Sequence, residues 1–292
     1  MNKVEEARRW FAEDLRVAAS VGSCAVIDAF AGVPRERFIG PGPWRVGARL
    51  MKMGANPFAY QTFEGNDPRV LYHDLVVALD EENEINNGQP SLWARIFDDI
   101  APRPGERVLH LGCGTGYYSA VLAEIVGTAG SVLAVDINVS LIERAHAALS
   151  QWSNVVVVCG DGTEVGAESR DIIVVSAGLT HPPAAWLDGL RPNGRLVFPL
   201  TISGPAARTG SGAMLLVSRE ASGAFAARFL CPAGFIHFEG GRNQAANDRL
   251  LEAFRKRPHG AADVRWLRRD SHAIEDTCWL HGDDYCLSCE QQ

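Results

Sequence analysis

The chain has 292 residues, 47% of them hydrophobic and 22% charged, with a formal net charge of −7 and a sequence pI of about 5.6. Its length suits one large domain or a core domain with additions, and no apolar run approaches the ~18 residues of a membrane-spanning helix. The acidic balance disfavours nucleic acid as a partner, because such surfaces ordinarily carry a basic excess; seven cysteines, an odd number with no apolar leader ahead of them, point to a reducing cytoplasm.

The first stretch, "MNKVEEARRWFAEDLRVAAS", places Val4, Ala7, Phe11, Leu15 and Ala18 at helical spacing, which predicts an amphipathic packing helix. Residues 1 to about 80 read as mixed and helical, with a break at "GPGPW". In "NEINNGQPS", Asn87-Gly88 is a turn dipeptide and Pro90 starts a helix. From about residue 90 to 220, strand and helix signals alternate. "RVLHLG" predicts a short buried strand, followed by a helix from Tyr117 to Val126 that stops at Gly127. "SVLAVD" is a second strand. Ser140 and Glu143 then form a capping-box pattern ahead of a helix with Leu141, Ile142, Ala145, Ala148 and Leu149 on one face. In "NVVVVCGDG" four successive valines predict a third strand buried on both faces. "DIIVVSAG" is a fourth strand, "PPAAWLDGL" a helix, "RPNG" a turn and "RLVFPL" a fifth strand, with further strands at "AMLLVS" and "FAARFL". Residues from about 221 onward are less regular and end in a cysteine-rich tail. The alternation predicts an α/β fold with an open, mostly parallel sheet covered on both faces. Ligands of such sheets bind at the carboxyl ends of the strands.

The polar and glycine residues fall at those ends. Gly112-Cys113-Gly114-Thr115-Gly116 permits a tight strand-to-helix turn and lets a ligand approach bare backbone. Asp136, closing the second strand, can accept from both hydroxyls of a ribose. With Asp161 and Gly162 of "GDG" closing the third, the set predicts a nucleoside-containing cofactor. A dinucleotide fingerprint starting at Gly112 would need glycine where Tyr117 stands, and no Gly-Lys-Ser/Thr phosphate loop follows.

The segments "VLHLGCGTGYYSAVLAEIVG", "VLAVD", "VVCGDG" and "LRPNGRLVFPL" resemble the motifs of class I S-adenosylmethionine-dependent methyltransferases. More narrowly, "VIDAFAGVPRERFI", "GTGYYSAVLAEIVG" followed by "GSVLAVD", and "VVSAGLTHPPAAWLDGLRPNGRLVFPL" are similar to the protein-L-isoaspartate O-methyltransferase family over roughly residues 24 to 240. The resemblance implies a doubly wound, Rossmann-like methyltransferase sheet. It would comprise an N-terminal helical region at 1–80, a cofactor-binding core at 81–240 and a C-terminal extension at 241–292. It also implies S-adenosyl-L-methionine as cofactor and a carboxylate acceptor on a peptide, protein or small molecule. Gly112, Gly114 and Gly116, with Cys113 between them, would line the methionine portion and ribose. Asp136 would hold the ribose hydroxyls, Ile137 would pack on the adenine, and Asp161 would accept from the adenine amine beside Gly162. Ser176 and Ala177 would border the reacting centre. The alternatives are a methyltransferase for a specialised peptide or small metabolite, or a non-catalytic cofactor-binding module.

Two places depart from the family. His110 stands where an acid lies near the cofactor's amino group, and Gly88 stands where a serine faces the reacting carboxylate. Asn86, Asn87 and Gln89 offer amide donors there instead. A carboxylate acceptor is ionised at neutral pH and needs no base. For a hydroxyl or amine acceptor, His181 is the candidate base, against its reading as a loop histidine at a helix start. "THPPAAW" lacks the amide and the aromatic of the amino-methyltransferase signature it otherwise resembles. In the tail, Cys278, His281, Cys286 and Cys289 could suggest zinc, but with four residues between the pairs the stretch reads as a hairpin, and no metal is expected.

Overall fold

A computed structural model describes residues 2–47, 60–165, 169–204, 206–257 and 259–290. The chain divides into two compact units, one of residues 1–105, 113–132 and 138–157, the other of 106–112, 133–137 and 158–292.

The first unit opens with α1 (Lys3–Ala18), capped by Asn2 and Glu5 in a reciprocal box; it buries Phe11 and Leu15, as its spacing predicts, and Ala12 beside them, while Val4 and Ala7 are half-buried and Ala18, at the helix end, is exposed. Then come α2 (Cys24–Gly32), α3 (Glu36–Ile39), an antiparallel pair β1 (Trp44–Gly47) and β2 (Tyr60–Phe63), and a 3-10 helix at Pro68–Leu71. A second antiparallel pair, β3 (Ala78–Asp80) and β4 (Ile85–Asn86), precedes α4 (Pro90–Ile100). Pro90 sits in the first turn of α4, where its missing N–H costs nothing. Helices α5 (Tyr117–Val126) and α6 (Val139–Leu149) complete the unit. The start and stop of α5 match the sequence reading. The capping box at Ser140 does not form: Asn138 is the cap and accepts from the Leu141 N–H at 3.1 Å, because the helix begins two residues earlier.

The core of this unit is aromatic. Phe30 lies 6.1–6.5 Å, centroid to centroid, from Phe11, Phe97, Tyr117 and Tyr118. Among these rings sits Arg35, 0% exposed, at 5.9 Å from Phe11 and 6.0 Å from Tyr117. Its guanidinium donates to the carbonyls of Leu71 (2.6 Å), His73 (3.0 Å) and Leu75 (2.6 Å), a fork closing on one turn of chain. Burial holds its pKa below the usual arginine value.

A sheet of ten strands runs in the order β13-β14-β12-β11-β10-β9-β8-β5-β6-β7. Its members are β5 (Arg107–Leu111), β6 (Ser131–Asp136), β7 (Val155–Cys159), β8 (Arg170–Val175), β9 (Leu190–Ile202), β10 (Thr209–Arg219), β11 (Phe225–Ile236), β12 (Trp266–Arg268), β13 (Cys278–His281) and β14 (Cys286–Ser288). β8 is parallel to both β5 and β9; from β9 outward every pairing is antiparallel. Helices α7 (Ala184–Gly189) and α8 (Gln244–Lys256) lie in the second unit. There Leu111, Val175, Trp186, Phe198, Leu215 and Leu287 belong to one buried apolar cluster. So the parallel centre is as the sequence predicts, while the region read as less regular extends the same sheet.

Two strands differ from their sequence patterns. β7 is not buried on both faces: it lies at the sheet edge, with Val156 59% exposed. A run of valines favours extended backbone whether or not both faces are covered. "RPNG" is not a free turn but lies within β9, where the register with β8 shifts between Arg170–Leu190 and Ile172–Arg195. The tail hairpin forms as predicted, β13 and β14 closed by the Gly282 N–H donating to the Tyr285 carbonyl at 2.8 Å. Among the described residues no helix is long and apolar enough to cross a membrane.

Candidate cofactor and acceptor site

In the second unit, β5 delivers His110 and Gly112 beside the end of β8. The His110 ring nitrogen Nε2 lies 2.9 Å from Ser176 Oγ, and the Ser176 N–H donates to the Leu111 carbonyl at 2.8 Å. A Cβ on Gly112 would stand 3.6 Å from the Ser176 Cβ and 3.8 Å from that of Ala177. At the ends of β6 and β7, the Asp136 carbonyl accepts from the Gly160 N–H at 3.0 Å, and Ile137 leaves the sheet 47% exposed. Asp161 turns one carboxylate oxygen, Oδ1, onto the Thr163 N–H and hydroxyl, both at 2.8 Å. Gly162 is required by packing: a Cβ there would meet Phe238 at 2.8 Å and Leu111 at 3.0 Å, and its carbonyl accepts from the buried Trp186 indole at 3.2 Å. Thus His110, Gly112, Ser176 and Ala177 form one contact group, and Asp136, Asp161 and Gly162 occupy adjacent strand ends.

His110 is 1% exposed, and burial pushes its pKa down to about 3. It is a neutral imidazole at pH 7, so it cannot replace an acid's charge. Between about pH 6.5 and about pH 3 the unfolded chain binds a proton at this residue that the folded chain does not. The stability from a neutral His110 is therefore full above that window and lost as pH falls through it. On going from pH 7 to about pH 5, His110→Gln is expected to lose about 2 kcal/mol less stability than the parent. Urea unfolding at both pH values measures this, and equal losses would sink it.

His181 has other neighbours. Its Nδ1 lies 3.1 Å from Thr180 Oγ1, which accepts from the Asn243 N–H at 3.0 Å. Burial lowers its pKa, against opposing charges on Asp284 and Asp283.

The first unit carries Cys113, buried, and the rest of the glycine loop, together with the segment at 86–91. Gly114 (φ +56°) packs toward Leu79 of β3, and Gly116 (φ +91°) starts α5 where a Cβ would strike Leu149 at 2.5 Å. Asn87, 8% exposed, pairs with Val77 in a backbone-like fashion: its N–H donates to the Val77 carbonyl at 3.0 Å and its Oδ1 accepts from the Val77 N–H at 2.6 Å. Its Nδ2 is buried with no hydrogen-bond partner among the described residues. The Gln89 amide donates to Asp74 Oδ2 (3.1 Å) and Ser91 Oγ (3.2 Å), while Asp74 Oδ1 accepts from the Ser91 N–H (2.8 Å). Asn86 Oδ1 accepts from the Gly88 N–H at 2.9 Å. Of the amides in this segment, Asn87 therefore has a donor to offer, and Gln89 helps hold the start of α4. Gly88 (φ +71°) offers its carbonyl to the Tyr118 hydroxyl at 3.1 Å. Asp74 and Tyr118 escape the sequence reading: an isolated aspartate in a loop and a tyrosine in a helix carry no motif. Arg35 is inside a matched segment, but charge alone reads as surface.

A doubly wound sheet with a glycine loop after its first core strand and acidic residues after the next two is the architecture of class I S-adenosylmethionine-dependent methyltransferases. The family model described as Protein-L-isoaspartate(D-aspartate) O-methyltransferase matches residues 44–225. A protein-L-isoaspartate O-methyltransferase from Methylorubrum extorquens is 30% identical over 234 residues, 79% of this chain and 87% of that protein. One from Aeropyrum pernix is 32% identical over 200 residues, 67% of each. One from Thermotoga maritima is 30% identical over 183 residues, 61% of this chain; the match spans only 50% of that relative. A solved protein-L-isoaspartate O-methyltransferase superposes with a TM-score of 0.62 at 26% identity, covering 85% of this chain and 69% of that one. A Plasmodium falciparum structure described in the same terms, in complex with S-adenosyl-L-homocysteine, shares the fold (TM-score 0.58, 16% identity, 79% and 97% covered). The chain belongs to the protein-L-isoaspartate O-methyltransferase family.

Proposed function

We propose that the chain methylates a carboxylate on a protein or peptide, in the first instance an L-isoaspartyl side chain. The observation that carries the acceptor assignment is the buried, unpartnered Nδ2 of Asn87: a buried amide donor without a partner is costly, and a carboxylate oxygen would satisfy it. When bound, S-adenosyl-L-methionine supplies an activated sulfonium methyl that a carboxylate oxygen takes by displacement, leaving a methyl ester and a thioether. The residues present fit that group. Asp136 would accept from the ribose hydroxyls, exposed Ile137 would cover the adenine, and Asp161 Oδ2 would accept from its amine while Thr163 holds Oδ1. Gly112, Gly114 and Gly116, each at positive φ, leave bare backbone for the methionine portion, with Cys113 between them. Neutral His110 and Ser176 offer polar contact beside Ala177. An ionised acceptor needs no base, so His181 is required only for some other acceptor. Cofactor binding falls to residues 81–240, with 241–292 as an extension.

The net charge of −7 supports a protein or peptide over nucleic acid, and the odd set of seven cysteines supports the cytoplasm as the compartment. Labelled-methyl transfer to an isoaspartyl peptide, with base-labile release of methanol, tests the reaction. Binding of S-adenosyl-L-homocysteine without any transfer would remove the acceptor assignment. Asn87→Asp keeps the acceptor toward Val77 and deletes the donor. It is expected to lower kcat/KM about 30-fold, about 2 kcal/mol, with the S-adenosyl-L-homocysteine Kd within about threefold of the parent. A matching loss in both would place Asn87 on the cofactor instead.

A further inference from the structure

The tail hairpin closes on a cluster that the reaction does not use. Ligand atoms of His272, Cys278, His281 and Cys286 all lie within 4.8 Å of one another. This is not the set that spacing groups together. Cys289 stands apart, exposed, its Sγ donating to the Thr277 carbonyl at 3.4 Å, and His272 comes in from the preceding loop.

We propose that these four side chains bind a structural zinc ion. Zinc takes thiolate and imidazole ligands at about 2.0–2.3 Å in a tetrahedron, which sets neighbouring ligand atoms roughly 3.3–3.8 Å apart. His272 Nε2 and Cys278 Sγ already stand at 3.5 Å. Two thiols and two imidazoles, with no carboxylate, suit zinc and exclude magnesium or calcium. Cys278 and Cys286 are buried and not disulfide-bonded. The outer contacts are those of a metal-bound histidine. His272 Nδ1 lies 3.0 Å from the Asp270 carbonyl oxygen, its hydrogen-bond partner, and 3.0 Å from the Asp270 carboxylate, which leaves Nε2 facing Cys278; Asp270 is itself gripped by Arg268 at 2.7 and 3.0 Å. Across the cluster the His281 ring stands at 89° to that of His272, with its Nδ1 buried and without a hydrogen-bond partner among the described residues. A metal supplies the partner that this nitrogen lacks.

Four protein ligands fill the tetrahedron, so the ion has no open position for chemistry. Its work is to tie the loop bearing His272 to β13 and β14. The turn between those strands carries Asp283, paired with Arg249 of α8 at 2.7 Å. Binding takes both cysteines as thiolates, their protons passing to solvent.

The full chain, purified from zinc-supplemented medium without chelator, is expected to carry about one zinc per chain by elemental analysis. Cys286→Ser and His272→Ala should fall to about a tenth of that or less, while Cys289→Ser and Cys159→Ser keep it. Should a ligand variant fail to fold, cobalt loading of the parent decides. Tetrahedral visible bands with thiolate charge transfer support the site, and an octahedral spectrum overturns it. Zinc-free parent protein with a Cys278–Cys286 disulfide on non-reducing mass spectrometry, or full zinc retained in Cys286→Ser, would overturn it equally.

Discussion

Gly88→Ser is expected to destabilise the protein by about 3 kcal/mol and to lower methyl transfer, even though it reinstates the family's serine. Position 88 has φ +71°, a conformation that costs a side-chain-bearing residue about 1–2 kcal/mol. A Cβ there would stand 2.7 Å from the Trp93 indole nitrogen and 3.1 Å from Tyr118. Trp93 is 1% exposed and Tyr118 5%, so neither ring can step aside without disturbing the aromatic core, a further ~1–3 kcal/mol. The same movement breaks the hydrogen bond from the Tyr118 hydroxyl to the Gly88 carbonyl. The lesion lies in the Cβ and not the hydroxyl, so Gly88→Ala should lose as much as Gly88→Ser. Thermal melts should fall by roughly 5–10 °C for both. A serine variant that melts with the parent and turns over faster would show that the segment merely lost a catalytic hydroxyl.

Arg35→Met is expected to cost about 3–4 kcal/mol. The change fills similar volume and removes the desolvation penalty of the charge, which works in the variant's favour. It also strips donors from the buried carbonyl of Leu71 and the part-buried carbonyls of His73 and Leu75, at about 1–3 kcal/mol for each group left unsatisfied. With up to three such groups, the loss wins. Arg35→Lys should recover less than half, because a single ammonium cannot span the fork. Urea unfolding measures both, and a methionine variant within about 1 kcal/mol of the parent would refute the assignment. The chain that Arg35 grips also bears Asp74, which holds Gln89 and Ser91 at the start of α4, so a raised KM for the peptide should accompany the lost stability.

The alternating strands and helices from 107 to 159 are written in local signals. Tyr117 to Val126 reads as a helix because a glycine loop precedes it and Gly127 ends it, and both limits hold. Strand-end residues such as Asp136 and Asp161 are legible because period and position coincide. What failed depended on neighbours distant in sequence. Four valines do not say whether a strand is central or at an edge. Ser140 and Asn138 are both good caps, and the register of the helix chose between them. Arg35 looks like any surface arginine until Phe11, Tyr117 and the carbonyls at 71–75 close around it. The fourth member of the tail cluster, His272, lies outside any cysteine spacing and is brought in by the path of its loop.

The change of strand direction at β9 divides the sheet by how hard each part is to assemble. β9 and β10 pair from Ile202 and Ser211, about ten residues apart, and β10 and β11 are likewise chain neighbours. β5 must find β8 across a separation such as the 64 residues between Arg107 and Asp171, which raises the loop-closure cost by about 2 kcal/mol. The antiparallel side can close on itself by short hairpins, and β9, already held there, gives β8 an edge to join. On a ribosome that order runs backwards: the strands that close most cheaply emerge last, and the methyltransferase centre waits for them.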